Sequence, residues 1–229
     1  MSWCRNTKRR VHSHWSRFFG YCLSVHGAFD DNPMVRVERP AEGRKPIQFY
    51  ELDTVERIVA AQPTEGRRAL FALPYGTGIE VGTAIRLTRA DVWDSSQEIR
   101  AAGTKTHTRD RIAAVSDWAW PLVRDYVRPL LPGALLFPGY RVDVVWHWHR
   151  ETTTALGLTG HLRVHSGRHH WAVLALRAGT PVRLVQTQLG HATPTLTLAL
   201  YGAFVPGAED RATWRARVTS HKAHRREAQ

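Results

Sequence analysis

Glycine interrupts the last third of this chain so often that only short helices can form there. From His147 to Tyr201 apolar residues recur at helical spacing, but Gly157, Gly160, Gly179 and Gly190 break the pattern into pieces. Upstream, residues 52–59, 67–93 and 116–131 also carry helical patterns. Between the last two of these, residues 99–115 read as two or three short strands separated by turns. The sequence therefore predicts a mainly α fold with a small antiparallel β-hairpin or sheet.

The N-terminal residues predict a helix of their own over residues 11–26. Its apolar stripe includes Trp15, Phe18 and Phe19. Residues 39–47 are rich in proline, glycine and charge, which is typical of a linker. One helix with an apolar stripe cannot form a domain alone. We therefore expect a single compact domain only from about residue 48 onward.

Basic residues exceed acidic ones by a wide margin. The chain has 32 Lys and Arg residues against 20 Asp and Glu residues, so its formal net charge is +12. Arginine predominates, and its planar guanidinium matches phosphate oxygens bidentately. The excess favours a nucleic-acid partner over a surface adapted for solubility alone.

Several structural classes are excluded by composition. Mean hydropathy is −0.36, and no apolar run reaches the roughly eighteen residues that a membrane helix needs. The two cysteines, Cys4 and Cys22, exclude a disulfide scaffold or a cysteine-rich zinc site. His147 and His149 suggest a metal site, but residues two apart on a helix point in different directions and no third ligand is evident. We therefore predict no metal.

Five residues in three fragments suggest chemistry on a phosphate diester. His165 and Arg168 are three apart, so a helix would project them to one side. Arginine supplies a charge clamp, and histidine supplies a proton or a hydrogen bond. His191 follows a Leu-Gly break, and Tyr201 comes ten residues later. A phenol is a suitable nucleophile toward phosphorus where cationic groups stabilise the transition state, and Lys105 on a hairpin tip could protonate the leaving alkoxide.

Together these fragments resemble the tyrosine recombinases, the phage integrase family. That family carries an H-x-x-R-H stretch, an L-G-H stretch and a nucleophilic tyrosine, matched here by residues 165–169, residues 189–191 and Tyr201. Its β-hairpin lysine matches Lys105. The resemblance implies the family's catalytic-domain fold over residues 48–206, preceded by a linker at 40–47 and followed by a basic tail at 207–229.

Residues 1–39 are similar to the last helix of the family's core-binding domain. The resemblance implies that this region is a truncated remnant of that domain. The rival explanation is that the helix docks on the catalytic domain or on a partner chain. In the tail, a solvated helix and a DNA-binding arm remain alternatives.

The resemblance also implies a mechanism. Tyr201 would attack a scissile phosphate to form a 3′-phosphotyrosyl link and release a 5′-hydroxyl. Arg168 would clamp the non-bridging oxygens, His165 and His191 would add hydrogen bonds or proton transfer, and Lys105 would act as the general acid. No cofactor is implied, because the phosphotyrosyl bond conserves the energy of the broken one.

The partner implied is a double-stranded DNA attachment site, with self-association on that DNA. Arg109 and Arg111 are expected to contact backbone phosphates, and His169 is expected to lie in the DNA-binding region near the site. No membrane and no small-molecule substrate are expected. The location implied is cytoplasmic, in association with the nucleoid.

One position departs from the family pattern. The family's first active-site arginine lies in a T-G-[LM]-R stretch, and the matching residues 77–80 end in Glu80. Arg67, Arg68 and Arg86 are the candidates to replace the lost charge. We hypothesise impaired integration or excision of a mobile element. The alternatives are a non-catalytic DNA-binding protein that occupies attachment sites or modulates an intact recombinase, and a type IB topoisomerase-like enzyme.

Overall fold

The computed structural model describes residues 4–27, 29–41, 46–102, 110–158 and 166–206. The chain divides into two compact units, and the division falls between Pro46 and Ile47. The first unit contains helix α1 (Arg5–His26) and a 3₁₀ turn (Pro33–Arg36). The second contains, in chain order, α2 (Leu52–Ala60), α3 (Glu65–Thr77), α4 (Val81–Ala84), a 3₁₀ turn (Arg89–Asp91), β1 (Val92–Trp93), β2 (Glu98–Ala101), β3 (Arg111–Ala114), α5 (Trp120–Val127), α6 (Val142–Ala155), α7 (Ser166–Arg177), α8 (Val182–Leu189), α9 (Pro194–Tyr201) and a 3₁₀ turn (Gly202–Phe204).

Helix α1 is confirmed, but it begins six residues earlier than its apolar stripe indicates. The first turns are polar and basic, so they leave no mark in a pattern of apolar positions. On the predicted stripe, the rings of Trp15, Phe18 and Phe19 lie 5.4–5.7 Å from one another, and Phe19 also contacts Phe29. The Asn32 side chain fixes the return of the chain by donating to Ser16 O at 2.8 Å.

The helical prediction for residues 80–93 is wrong beyond Ala84. Thr88 donates its N–H and its hydroxyl to Asp91 Oδ2, at 2.9 and 2.8 Å, and this turn ends the helical path. Residues 92–93 then join an antiparallel sheet of order β1-β2-β3. Pairing with the next strand along the chain decides this segment, and a helical pattern of apolar positions does not register hydrogen bonds to a partner strand. The predicted strands in 99–115 are confirmed as β2 and β3.

The predicted helix over 116–131 is shorter than expected. The backbone N–H and the hydroxyl of Ser116 both bind Gly76 O, at 2.9 and 2.8 Å, so the chain turns before α5 begins at Trp120. The short helices predicted between 147 and 201 are confirmed as α6 to α9.

Helix α3 is the centre of the second unit. Its residues 69–73 are completely buried, and it packs against α2, α5 and α7. Small residues allow this close packing: a Cβ on Gly76 would lie 2.4 Å from Ala119 Cβ, and one on Gly167 would lie 3.1 Å from Pro74 Cβ. The C-terminal end of α3 is thereby held against the N-terminal end of α7, where Arg168 lies.

Buried histidines join α6 to α3 and α7 to the segment before α2. His149 Nε2 is 2.8 Å from Tyr75 Oη, and His170 Nδ1 is 2.5 Å from Tyr50 O. Burial lowers the pKa of His149 to about 4. His149 is therefore a core residue bonded to a phenol, whereas His147 is exposed and 3.0 Å from Glu151.

We expect His149 to make the protein less stable in acid. Its pKa is about 4 in the folded chain and about 6.5 in an unfolded one, so below pH 6.5 the unfolded state takes up the proton first. Neutral His149 makes its full contribution to the free energy of unfolding above pH 6.5, and about 3 kcal/mol of that free energy is lost by pH 4. Urea unfolding at pH 7 and pH 4.5 should show a smaller acid loss for His149→Gln than for the unmodified chain. Equal losses in the two proteins would contradict this assignment.

Candidate active site

Arg168 joins three segments of the second unit. It is buried in the first turn of α7 and donates from Nη1 to Gly78 O at 3.2 Å and from Nη2 to Leu189 O at 2.5 Å. Gly78 ends α3 with a φ of 74°, and a Cβ there would lie 2.9 Å from both Leu189 and Trp171. The two bonds fix the plane of the guanidinium between the ends of α3 and α8.

Tyr201 ends α9 beside that guanidinium. The residue is 1% exposed, and its Oη is 2.7 Å from His169 Nδ1. Burial raises the pKa of Tyr201 to about 12, and the charge of Arg168 opposes this increase. A phenol in this environment stays protonated at neutral pH until a base accepts its proton.

His191 packs on the ring of Tyr201. The two rings are nearly parallel, at 8°, with centroids 6.4 Å apart. Gly190 allows the turn by adopting a φ of 65° at the end of α8. His191 Nδ1 is 2.9 Å from Thr197 Oγ1, and Gln186 donates to His191 O at 2.7 Å. The Leu-Gly-His stretch thus ends one helix and fixes an imidazole against the phenol.

Glu80 also lies at this site. It precedes α4 at its N-cap position, its side chain is 27% exposed, and its Oε1 is 3.9 Å from Arg168 Nη1. A carboxylate therefore lies next to the cation that would bind phosphate. At this distance the attraction is roughly 4 kcal/mol in an effective dielectric of about 20.

Arg111 lies in the interior instead of on the open face of its strand. It is 8% exposed and donates from Nε to Gln188 O at 2.6 Å. A Cβ on Gly190 would lie 3.0 Å from Arg111 Nη1, so the guanidinium packs directly beneath the Leu-Gly-His turn. Its predicted contact with DNA phosphates remains a prediction.

Gln188 is a site residue that the sequence did not indicate. Its Nε2 donates to Thr77 O at 3.0 Å and to Ala114 O at 2.8 Å, which ties α8 to α3 and β3. Its place immediately before the Leu-Gly-His stretch is the one signal that could have identified it.

The other predicted residues are placed as follows. Lys105, Arg109 and His165 lie outside the described residues, as does the 207–229 tail. Arg67 lies 4.1 Å above the Trp148 ring, and Arg68 donates to Gln62 O, so these two guanidinium groups have structural partners of their own. Arg86 is exposed after α4. Within the described ranges no group of three metal-ligating side chains occurs.

Comparison with known proteins assigns the second unit to one family. The phage integrase family model matches residues 48–204, more than half of the chain. The chain belongs to the phage integrase family. This integrase-family chain is 26% identical over 202 residues to a tyrosine recombinase of Thermosipho africanus, covering 85% of the chain and 70% of that protein. It is 32% identical over 158 residues to tyrosine recombinase XerD of Corynebacterium glutamicum, covering 64% of the chain and 51% of that protein.

A solved structure shares the fold. The XerH site-specific recombinase, solved on a palindromic difH substrate in a post-cleavage complex, matches with a TM-score of 0.72 and 18% identity. The match covers 88% of this integrase-family chain and 65% of XerH. The predicted mainly helical fold with a small antiparallel sheet is confirmed. The chain spans between about half and about 70% of the length of the two sequence relatives. Among the described helices, none combines the length and apolarity needed to cross a membrane.

Proposed function

We propose that this chain carries out site-specific DNA recombination, the integration or excision of a mobile element, with Tyr201 as the nucleophile. The proposal rests on one observation: an arginine and two histidines surround Tyr201. His169 touches its oxygen, His191 packs on its ring, and the Arg168 charge acts on its ionisation. An arginine–histidine set around a phenol suits attack on a phosphate diester.

The proposed reaction is a reversible exchange of phosphate esters. The Tyr201 oxygen attacks phosphorus, a 3′-phosphotyrosyl bond forms, and the bond to the 5′-oxygen breaks. Arg168 stabilises the charge on the non-bridging oxygens, and Lys105 protonates the 5′-oxygen. His165 and His191 supply hydrogen bonds. Attack by a 5′-hydroxyl from a second strand reverses the steps and releases Tyr201, so the phosphotyrosyl bond replaces an external energy source.

The proposed substrate is double-stranded DNA at an attachment site. The net charge of +12 supports it, and XerH was solved with its DNA substrate. Contacts between basic side chains and the DNA phosphates release counterions from the DNA. Binding should therefore weaken steeply as the salt concentration rises. We assign residues 48–206 to catalysis and residues 1–39 to the end of a core-binding region. Self-association on the DNA and association with the nucleoid belong to the same proposal.

A second candidate function rests on Glu80. A carboxylate 3.9 Å from Arg168 weakens the field that would hold a scissile phosphate. A chain with this pair would bind an attachment site and cleave it slowly or not at all. It would then occupy such sites or modulate an intact recombinase.

The test is a search for covalent protein–DNA adducts. The protein is incubated with a pool of nicked duplexes of randomised sequence, in which cleavage releases a short fragment and so prevents religation. Denaturing detergent stops the reaction, and the DNA linked to protein is isolated and sequenced. We expect one sequence class to be enriched, and Tyr201→Phe to form no adduct while still shifting that DNA in a gel.

The outcomes separate the two candidate functions. Adduct that depends on Tyr201, together with strand exchange between duplexes, supports recombination, whereas DNA relaxation without strand exchange would indicate the type IB topoisomerase-like alternative. Sequence-specific binding without adduct, in both the unmodified chain and Glu80→Arg, supports the DNA-binding function. Adduct of equal yield from Tyr201→Phe would contradict the assignment of the nucleophile.

A further inference from the structure

The proposed nucleophile needs a base, and among the described residues His169 brings a ring nitrogen to its oxygen. With a pKa of about 12, Tyr201 is ionised in only about one molecule in 10⁵ at pH 7. Attack by the neutral phenol would leave a positive charge on the bridging oxygen. The proton must therefore leave as the bond to phosphorus forms.

His169 has the geometry of that base. Its Nδ1 is 2.7 Å from Tyr201 Oη, within the range for direct proton transfer. It follows Arg168 in the first turn of α7, and its ring is partly buried. One turn of helix thus presents a phosphate-binding cation and a proton acceptor side by side.

His191 makes a different contact with the same phenol. Its Nδ1 is 2.9 Å from Thr197 Oγ1, and its ring packs on the Tyr201 ring at 8°. The two histidines therefore contact different parts of the phenol: His191 packs on the ring, and His169 contacts the oxygen.

We propose that His169 is the general base that activates Tyr201. As Oη bonds to phosphorus, its proton passes to Nδ1 of the neutral imidazole, and Nε2 keeps its own proton. The bond from phosphorus to the 5′-oxygen breaks, and that oxygen is protonated by a separate general acid. In the reverse step the imidazolium returns its proton to the departing phenolate. This inference rests on the proposed function, since it assigns a role within that reaction.

The kinetic test uses the enriched nicked duplex with two leaving groups, the ordinary 5′-oxygen and a 5′-bridging sulfur. A thiolate leaves without an acid, so sulfur should restore a variant that lacks the general acid and should not restore one that lacks the base. His169→Asn keeps an oxygen acceptor near the position of Nδ1 but has no basicity. We expect His169→Asn to slow single-turnover adduct formation about 10²–10³-fold on both duplexes, with DNA affinity within about threefold of the unmodified chain.

Two controls accompany this variant. His147→Asn removes an exposed histidine of α6 and should leave the rate unchanged. Lys105→Ala should be slow on the oxygen substrate and restored on the sulfur one. A His169→Asn rate within about threefold of the unmodified chain would reduce His169 to a hydrogen-bonding partner and overturn the proposal. Restoration of His169→Asn by sulfur would also overturn it, since His169 would then act on the leaving group.

A spectroscopic test measures the contact between His169 Nδ1 and Tyr201 Oη without DNA. Long-range ¹⁵N–¹H spectra of the histidine rings distinguish which nitrogen carries the proton. We expect neutral His169 to be protonated at Nε2, and its Nδ1 signal to move in Tyr201→Phe. A proton on Nδ1 would overturn the proposal whatever the cleavage result. Absence of adduct from both the unmodified chain and Glu80→Arg would count against the proposed function instead, so the two failures are distinguishable.

Discussion

Glu80→Arg is expected to accelerate covalent adduct formation by about 10²–10³-fold. The loss of one hydrogen-bond donor to a developing oxyanion typically slows a reaction by that factor. In this chain the Glu80 carboxylate, 3.9 Å from Arg168 Nη1, also partly neutralises the charge of Arg168. The substitution removes that carboxylate and places a second guanidinium beside the proposed phosphate position. Single-turnover adduct formation on the enriched nicked duplex measures the effect.

Glu80→Gln separates the two contributions. If neutralising the carboxylate is sufficient, Gln should recover most of the gain; if a second donor is required, only Arg should recover it. Asp125→Arg is the matched charge reversal, since Asp125 is exposed and pairs with Arg124. A rate for Glu80→Arg no higher than that of Asp125→Arg would show that Glu80 does not limit cleavage.

Arg168→Gln is expected to affect both reaction and fold. Adduct formation should fall at least about 10²–10³-fold, because the proposed clamp on the non-bridging oxygens is lost. The carbonyls of Gly78 and Leu189 would lose their donor in a buried setting, which costs about 2–4 kcal/mol in the free energy of unfolding.

Arg177→Gln provides the control on the same helix. Arg177 is exposed, pairs with Glu51 at 2.9 Å and lies over the Phe49 ring, so its loss should cost about 1–2 kcal/mol and leave cleavage unchanged. Arg168→Lys tests whether charge alone suffices: it keeps the cation but cannot reach both carbonyls with a planar fork. Cleavage by Arg168→Lys equal to that of the unmodified chain would contradict the proposed bidentate role.

Local patterns predicted most of the helices because the apolar residues that mark them also form the core. Residues 67–78 illustrate this, since the run that predicted a helix is the buried α3. The helix predicted over residues 80–93 was wrong beyond Ala84 because a sheet contact decides that segment. Val92 and Trp93 are held by hydrogen bonds to the neighbouring strand at Ile99 and Glu98, and apolar spacing alone does not distinguish such a strand from a helix.

Residue identity and spacing were sufficient to assign the family, the order of the motif residues and the anomaly at Glu80. Tertiary structure alone decided which groups meet. It placed His169 at the oxygen of Tyr201, His191 against its ring, and Glu80 within 3.9 Å of Arg168. It also buried Arg111 beneath the Leu-Gly-His turn. These contacts join residues 10 to 88 positions apart, and the packing of α3 against α7 and of α8 against α9 sets their distances.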